Sequence, residues 1–231
     1  VGAHARGDIG DKQLKEIEAK SIPGPGSCGG MYTANTMGSA IEALGMSLPN
    51  SSAQAAISAA KRLDCQSAGT AVLNLIKRGI TPRDIMTREA FENAIMGVAA
   101  SGGSTNGVLH LLAMAREAGI PLTIEDFDVI SSHTPLLADL KPGGRYAAID
   151  LHRAGGIPLM AKRLIEAGPL DATQMTVTGR TIGEEANAAM ETSGQDVVRA
   201  LSNPIKATGG LVILKGNLAP EGCVTKVAGY D

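Results

Sequence analysis

One cysteine, Cys28, lies in a segment that consists almost entirely of glycine and proline. Residues 23–30 are Pro-Gly-Pro-Gly-Ser-Cys-Gly-Gly, and a helical pattern begins at Met31. Backbone N–H groups in such a turn and at a helix N-terminus favour a thiolate. The residues alone leave three interpretations open: a ligand of a metal or iron–sulfur cluster, a nucleophile, or a small buried thiol beside a turn. A cluster needs further cysteines. The nucleophile is least favoured, because no histidine lies near in sequence to act as a base.

The same segment matches the dinucleotide-binding pattern G-x-G-x-x-G at residues 24–29. In that motif the glycines follow a buried strand and open a helix on the pyrophosphate. Here residues 12–20 have a charged helical pattern instead, and Pro25 occupies the tight turn. A nucleotide-binding module is therefore disfavoured.

Hydroxyl side chains occur at a second break between predicted helices, residues 101–106, which are Ser-Gly-Gly-Ser-Thr-Asn. Ser104 and Thr105 at a helix N-terminus offer hydroxyls and unpaired N–H groups to a carboxylate or phosphate. A helix cap formed by Ser104 or Thr105 explains the same residues equally well. Both interpretations stay open.

The other residues whose side chains could take part in chemistry are expected to have structural roles. We expect Cys65 to be a packed or half-exposed thiol on a helix, Cys223 a packed thiol at the start of a strand, and His110 a core histidine. Neither His133 nor His152 belongs to a zinc-binding pattern. Two acidic pairs are predicted to be caps and surface charges: Asp126 with Asp128, and Glu184 with Glu185.

The composition of the 231 residues indicates a globular protein. Hydrophobic residues make up 44%, charged residues 19%, and the formal net charge is −2. These values exclude disorder, collagen and coiled coil. The lack of a basic block, with only three Tyr, two Phe and no Trp, argues against a nucleic-acid partner. No run of about 18 apolar residues predicts a membrane span.

The first residues contain neither an initiator Met nor an apolar signal region, so we expect a fragment or a processed product. Three widely spaced cysteines form a poor disulfide framework. This favours a reducing compartment, and the predicted location is the cytoplasm, or an organelle matrix or stroma in a eukaryote.

Apolar periodicity, caps and glycines predict a helix-rich first part. Helices are expected at 11–20, 31–44, 53–78 (one or two), 87–100, from the 101–106 break to 118, after Thr123, and at 157–167. Beyond residue 170, β-prone runs appear at 175–178 and 211–214, around a helix at 181–190. We place a domain boundary near Gly168-Pro169.

Several segments together resemble one enzyme family. Residues 26–37 (GSCGGMYTANTM) and 42–49 (EALGMSLP) are similar to iron–sulfur dihydroxy-acid and sugar-acid dehydratases. Further similar segments follow in the same order: 102–106, 109–112, 139–146, 150–156, 176–181 and 216–222. The resemblance therefore spans almost the whole chain.

The resemblance implies an α/β fold. A helix-rich, layered segment of an N-terminal domain covers 1–169, and the start of a swivelling, β-barrel-like β/α C-terminal domain covers 170–231. It implies a hydro-lyase that converts 2,3-dihydroxy acids to 2-keto acids in valine and isoleucine synthesis. In this family an iron–sulfur cluster acts as Lewis acid on the C3 hydroxyl, Mg²⁺ binds the carboxylate and the C2 hydroxyl, and a deprotonated serine removes the C2 proton.

On this resemblance, Cys28 corresponds to the last cluster cysteine, and Cys65 and Cys223 fall on no ligand position. The other cluster cysteines, the acidic Mg²⁺ ligands and a modified lysine belong upstream, and the catalytic serine and another carboxylate belong downstream. The subgroup points to [2Fe–2S] rather than [4Fe–4S], and to a homodimer. We expect the isolated chain to be inactive and cluster-free, with uncovered apolar surfaces.

The sequence leaves two alternative functions open. One is a sugar-acid dehydratase of the same superfamily, acting on an aldonate or phosphogluconate; the other is a non-catalytic fragment. Residues 31–35 (MYTAN) after Cys-Gly-Gly favour the branched-chain enzyme.

Overall fold

A computed structural model describes residues 1–21, 24–26 and 28–230. Pro23 and Ser27 of the predicted glycine- and proline-rich turn lie outside the described residues. Within these ranges the chain forms eleven helices and two strands. The elements are α1 (Gly2–Ala5), α2 (Asp11–Ser21), α3 (Thr33–Ala43), α4 (Ala59–Arg78), α5 (Pro82–Ile85), α6 (Arg88–Ala100), α7 (Asn106–Ala118), α8 (Ile124–His133), α9 (Ala148–Ala154), α10 (Gly156–Ala167), α11 (Ile182–Asn187), β1 (Leu211–Gly216) and β2 (Ala219–Lys226).

The helix ends follow local signals in the sequence. The Thr87 hydroxyl accepts a backbone N–H of the first turn of α6, and the Asp126 carboxylate of α8 accepts the N–H and the hydroxyl of Thr123. Gly79 and Gly119 end α4 and α7 in the left-handed conformation that favours glycine. The predicted helices at 11–20, 87–100 and 157–167 are confirmed.

Three predicted elements differ from the structure. Residues 175–178 form no strand: Met175 makes a single bridge to Thr181, because the chain turns back at Gly179 with a φ of +77°. The helix expected from residue 53 begins only at Ala59, after a series of turns. The helix expected at 181–190 is limited to Ile182–Asn187.

Helix α6 lies at the centre of the fold and contributes to both hydrophobic clusters. Its Phe91 packs in one cluster with Leu111 and Phe127, which come from α7 and α8. Its Met96 packs in the other cluster with Met160 of α10. Ten residues of α6 are buried, so this helix fixes the positions of the elements around it.

Residues that follow α10 also contribute to the second cluster. Leu170, Ile182 and Val198 pack in the same cluster as Leu151 and Leu164. The segment that leads to the sheet therefore packs on the helical part.

The sheet is a two-stranded antiparallel hairpin that packs on α8. Its register pairs Leu211 with Lys226 and Leu214 with Cys223. The Ser131 hydroxyl of α8 donates to the Leu211 carbonyl at 2.6 Å, and Asp128 accepts the Ile213 N–H at 2.9 Å. The strand predicted at 211–214 is confirmed, and Cys223 lies within β2 rather than at a strand start.

Helix α4 buries none of its residues within the described part of the chain. Leu63, Val72, Leu73 and Ile76 are all more than half exposed on its surface. The structure thus contains the uncovered apolar surface that the sequence led us to expect. In the described ranges, no helix combines the length and the hydrophobicity that a membrane span requires.

Candidate functional site

Cys28 lines a cavity of about 560 Å³ and is half-buried. The cavity walls come from four places: the turn around Cys28, the start of α3, residues 53–57, and residues 147–149. Among the described lining residues, the polar side chains are those of Cys28, Asn35 and Gln54; the others are glycine, proline, alanine and isoleucine. The thiol therefore faces a space of low polarity with no carboxylate in its described wall.

The turn that carries Cys28 is held by the side chain of Asn35, in the first part of α3. The Asn35 amide Nδ2 donates to the Cys28 carbonyl at 2.8 Å and to the Gly30 carbonyl at 2.9 Å. The Cys28 thiol itself donates to the Gly30 carbonyl at 3.2 Å. We expected backbone N–H groups around the sulfur, but the polar contact that the structure gives it is a carbonyl, because the Gly30 carbonyl faces both Asn35 and the thiol.

Backbone hydrogen bonds anchor the other side of this turn. The Ala148 N–H donates to the Gly29 carbonyl at 2.9 Å, and the Met31 N–H donates to the Lys141 carbonyl at 2.7 Å. A Cβ on Gly30 would lie 2.7 Å from the Lys141 carbonyl oxygen. Glycine at this position is therefore required by the close approach of another backbone segment.

Gln54, a residue of the cavity wall, has a buried polar atom without a partner among the described residues. Its Nε2 donates to the Asn50 carbonyl at 3.1 Å, while its Oε1 is buried and accepts no hydrogen bond from any described residue. Such buried acceptors are rare, because each costs about 1–3 kcal/mol.

The wall that contains Gln54 is fixed by a buried carboxyl group on α3. Glu42 is 5% exposed and accepts the N–H groups of Asn50 at 2.5 Å and Ser52 at 2.9 Å. Burial raises the pKa of Glu42 to about 7, a rise that the neighbouring Glu185 increases and that these hydrogen bonds oppose. Residues 53–57, which line the cavity, follow directly in the chain.

Ser104 and Thr105 lie at the N-terminus of α7 and do not line the Cys28 cavity. The Ser104 hydroxyl accepts from the N–H and the side-chain amide of Asn106, at 3.3 and 2.8 Å, whereas Thr105, the N-cap residue of α7, makes no side-chain cap hydrogen bond. The ammonium group of Lys226 donates to the Gly102 carbonyl of the same loop at 2.6 Å, and burial lowers the pKa of this lysine. A positive charge therefore lies beside the loop.

The other residues that the sequence singled out do not come together at the Cys28 cavity or at the loop of Ser104 and Thr105. Cys65 on α4 and Cys223 on β2 are both exposed free thiols, so the predictions of a packed or half-exposed Cys65 and a packed Cys223 are wrong. Within residues 1–21, 24–26 and 28–230, no three His, Cys, Asp or Glu side chains come together as a metal site. The prediction of a core position for His110 is wrong, since this residue on α7 is only half-buried.

Glu185 was predicted to be a surface charge, and this prediction is also wrong. It is 8% exposed and accepts hydrogen bonds from the hydroxyls of Thr176 at 2.8 Å and Thr178 at 2.5 Å. The turn at 175–181, which replaces the predicted strand, brings these hydroxyls to the carboxylate.

Asn35, Glu42 and Gln54 were missed in the sequence. A weak signal existed for Glu42, a single carboxylate in a helix whose other residues are mostly apolar or small. No local signal marks Asn35 or Gln54, because their partners lie in turns that no periodicity predicts.

Comparison with known proteins identifies the family to which this chain belongs. The family model for the dihydroxy-acid/6-phosphogluconate dehydratase N-terminal domain matches residues 1–185, and the C-terminal model of the same family matches residues 196–231. The chain belongs to this family, as its resemblance predicted.

Individual relatives carry the name dihydroxy-acid dehydratase. The chain is 60% identical over its whole length to the enzyme of Methylococcus capsulatus and covers 41% of that protein. It is 57% identical over its whole length to the enzyme of Koribacter versatilis, covering 40% of it. With the enzyme of Sulfurisphaera tokodaii the identity is 52% over 99% of the chain and 41% of the relative. The chain thus spans about two fifths of the length of these curated relatives.

Proposed function

We propose that this chain is part of a dihydroxy-acid dehydratase, in which Cys28 supplies one thiolate ligand of an iron–sulfur cluster. The proposed enzyme is a hydro-lyase that converts 2,3-dihydroxy acids to 2-keto acids in valine and isoleucine synthesis. The observation that carries the proposal is the half-buried Cys28 thiol on a cavity of low polarity, in a chain whose relatives have this name.

The residues around Cys28 are compatible with a cluster ligand. Thiolate sulfur is the preferred ligand of iron–sulfur clusters, and an apolar surrounding limits access of water to them. One cysteine cannot hold a cluster, so we propose that polypeptide outside these 231 residues supplies the other ligands. The proposal includes a [2Fe–2S] cluster rather than [4Fe–4S], and a Mg²⁺ ion whose ligands also lie outside the chain.

The cluster, when bound, supplies the Lewis acidity that stabilises hydroxide as it leaves C3 of the substrate. The chain's own residues hold and shield this centre. Cys28 provides a ligand, and the alanine-rich wall keeps the surroundings of its sulfur apolar.

Ser104 and Thr105 are proposed as a binding site for the substrate carboxylate. The supporting observation is the Lys226 ammonium group beside the loop. In addition, no described residue accepts a hydrogen bond from the Thr105 N–H or hydroxyl. A cation and free donors at a helix N-terminus favour an anion.

The division of the chain and the state of the complete enzyme are further parts of the proposal. Residues 1–169 are proposed as the second part of the N-terminal domain, and residues 170–231 as the start of a swivelling C-terminal domain. The two family models also divide the chain, but they place the division between residues 185 and 196 rather than near residue 169. We propose a homodimer in the cytoplasm, or in an organelle matrix or stroma in a eukaryote, without nucleic-acid or membrane partners.

The test is a turnover assay of the complete gene product that carries this chain, purified without oxygen. We expect a 2-keto acid from a branched 2,3-dihydroxy acid, and no turnover by the isolated 231-residue chain. If the enzyme prefers an aldonate or 6-phosphogluconate, the sugar-acid alternative is correct and the proposed substrate is wrong. No turnover of any of these acids, by a protein with an intact cluster, would contradict the proposed activity.

A further inference from the structure

We propose that Asn35 is the positioning residue that holds Cys28 in the conformation needed for iron ligation. The inference rests on the proposed function, since it assumes that Cys28 is a cluster ligand. Asn35 acts through the backbone of the turn, and the inference assigns it no direct contact with the cluster or substrate.

The proposal rests on the geometry of the Asn35 side-chain amide. The Asn35 Nδ2 has two hydrogens, and it donates at 2.8 Å to the carbonyl of Cys28 and at 2.9 Å to that of Gly30. One side chain thereby closes the three-residue turn on which the sulfur is carried. Because Asn35 lies on α3, the position of the turn is fixed by a helix that packs in the hydrophobic core rather than by a loop.

The Asn35 amide also offsets an electrostatic change that occurs when Cys28 ligates iron. In the structure the Cys28 thiol donates its hydrogen to the Gly30 carbonyl. A cysteine that ligates iron is a thiolate, so this hydrogen is lost and the Gly30 oxygen then faces a negative sulfur. The Asn35 N–H remains on the Gly30 oxygen, and the positive end of its dipole offsets part of the repulsion between this oxygen and the sulfur.

The other anchors of the turn do not depend on Asn35. The bonds from Ala148 to Gly29 and from Met31 to Lys141 join backbone to backbone. Loss of the Asn35 amide is therefore expected to disturb the Cys28–Gly30 turn while the fold is retained.

The sharpest variant is Asn35→Asp, which keeps the size of the side chain and replaces both N–H donors by a carboxylate oxygen. Asn35→Ser is a neutral second variant that retains one donor on a shorter side chain. Asn74→Asp, at an exposed position on α4, makes the same chemical change away from the cavity and is the control.

The experiment uses the complete gene product, purified and reconstituted with iron and sulfide without oxygen. It measures the rate of cluster loss to an iron chelator, the electron paramagnetic resonance spectrum of the reduced cluster, and the circular dichroism of the fold. A typical hydrogen bond corresponds to about a fivefold change in an equilibrium, so two correspond to roughly 25-fold. We expect Asn35→Asp to accelerate cluster loss by roughly that factor and to shift the resonance spectrum, with a smaller effect of Asn35→Ser and none of Asn74→Asp.

The outcomes separate this inference from the proposed function. A wild-type protein that holds no cluster would overturn the proposed function, and the inference with it. A wild-type cluster together with unchanged loss rates and spectra in both Asn35 variants would overturn the inference alone. Loss of the fold in both variants would also overturn it, because Asn35 would then support the whole domain rather than the turn.

Discussion

Thr36 and Ser104 are joined by a hydrogen bond in which the Ser104 backbone N–H donates to the Thr36 hydroxyl at 2.9 Å. Asn35, the preceding residue of α3, holds the turn of Cys28. Two consecutive residues of one helix therefore position the two places that the sequence singled out. A displacement of α3 would alter both together.

Thr36→Val tests the first of these contacts. The side chain is fully buried, and valine has nearly the same shape but cannot accept the Ser104 N–H. We expect the free energy of unfolding to fall by about 1–3 kcal/mol, the cost of a donor left without a partner. Urea denaturation of the chain measures this, with Thr70→Val at an exposed position of α4 as the control. Equal stability of the two variants would show that the hydrogen bond has no net effect.

Gly30→Ala tests the close approach of the Lys141 backbone to the Cys28 turn. The added Cβ would lie 2.7 Å from the Lys141 carbonyl oxygen, so one of the two segments must move. We expect a destabilisation of about 1–3 kcal/mol, as for other overpacked positions. The neighbouring variant Gly29→Ala is a matched control, because nothing lies within 4 Å of its added Cβ. If both variants melt at the same temperature, the tight contact does not constrain the turn.

The sequence predicted helices where caps and glycines mark both ends, as for α6 and α7. It failed at residues 175–178, where β-branched residues favour a strand but the side chains of Thr176 and Thr178 bond to the buried Glu185. That contact depends on the packing of α11 against the rest of the fold, which no local pattern contains.

Only part of the candidate site could be predicted from the sequence. The unusual neighbourhood of Cys28 is visible in the sequence because glycine and proline cluster there. Its support by Asn35 and the cavity wall at Gln54 result from tertiary contacts, and these could not be predicted. The resemblance to a family supplied the role of Cys28. It includes Asn35 in the similar segment 26–37 without giving this residue a role, and Gln54 lies outside the similar segments.

Glu42 predicts a specific dependence of stability on pH. Its pKa in the folded chain is raised from 4.5 to about 7, so between these values the native state holds a proton that the unfolded state releases. The free energy of unfolding should therefore fall as pH rises through this window, by at most about 3 kcal/mol, and level off above it.

Glu42→Gln should remove this fall, because glutamine does not titrate. The free energy of unfolding, measured by urea denaturation at about pH 5 and about pH 8, compares the variants. Glu117→Gln, at an exposed position of α7, is the control and should retain the wild-type dependence. The same fall in Glu42→Gln as in the wild type would mean that other groups cause it.

Iron ligation by Cys28 can be examined by substitution of single cysteines in the complete gene product. After reconstitution without oxygen, visible absorbance and iron content are compared between the wild type, Cys28→Ser and Cys65→Ser. Serine removes the soft sulfur ligand with little change in size. We predict that Cys28→Ser loses the cluster absorbance while the exposed Cys65→Ser retains it. A Cys28→Ser protein with wild-type absorbance and iron content would show that Cys28 is not a cluster ligand.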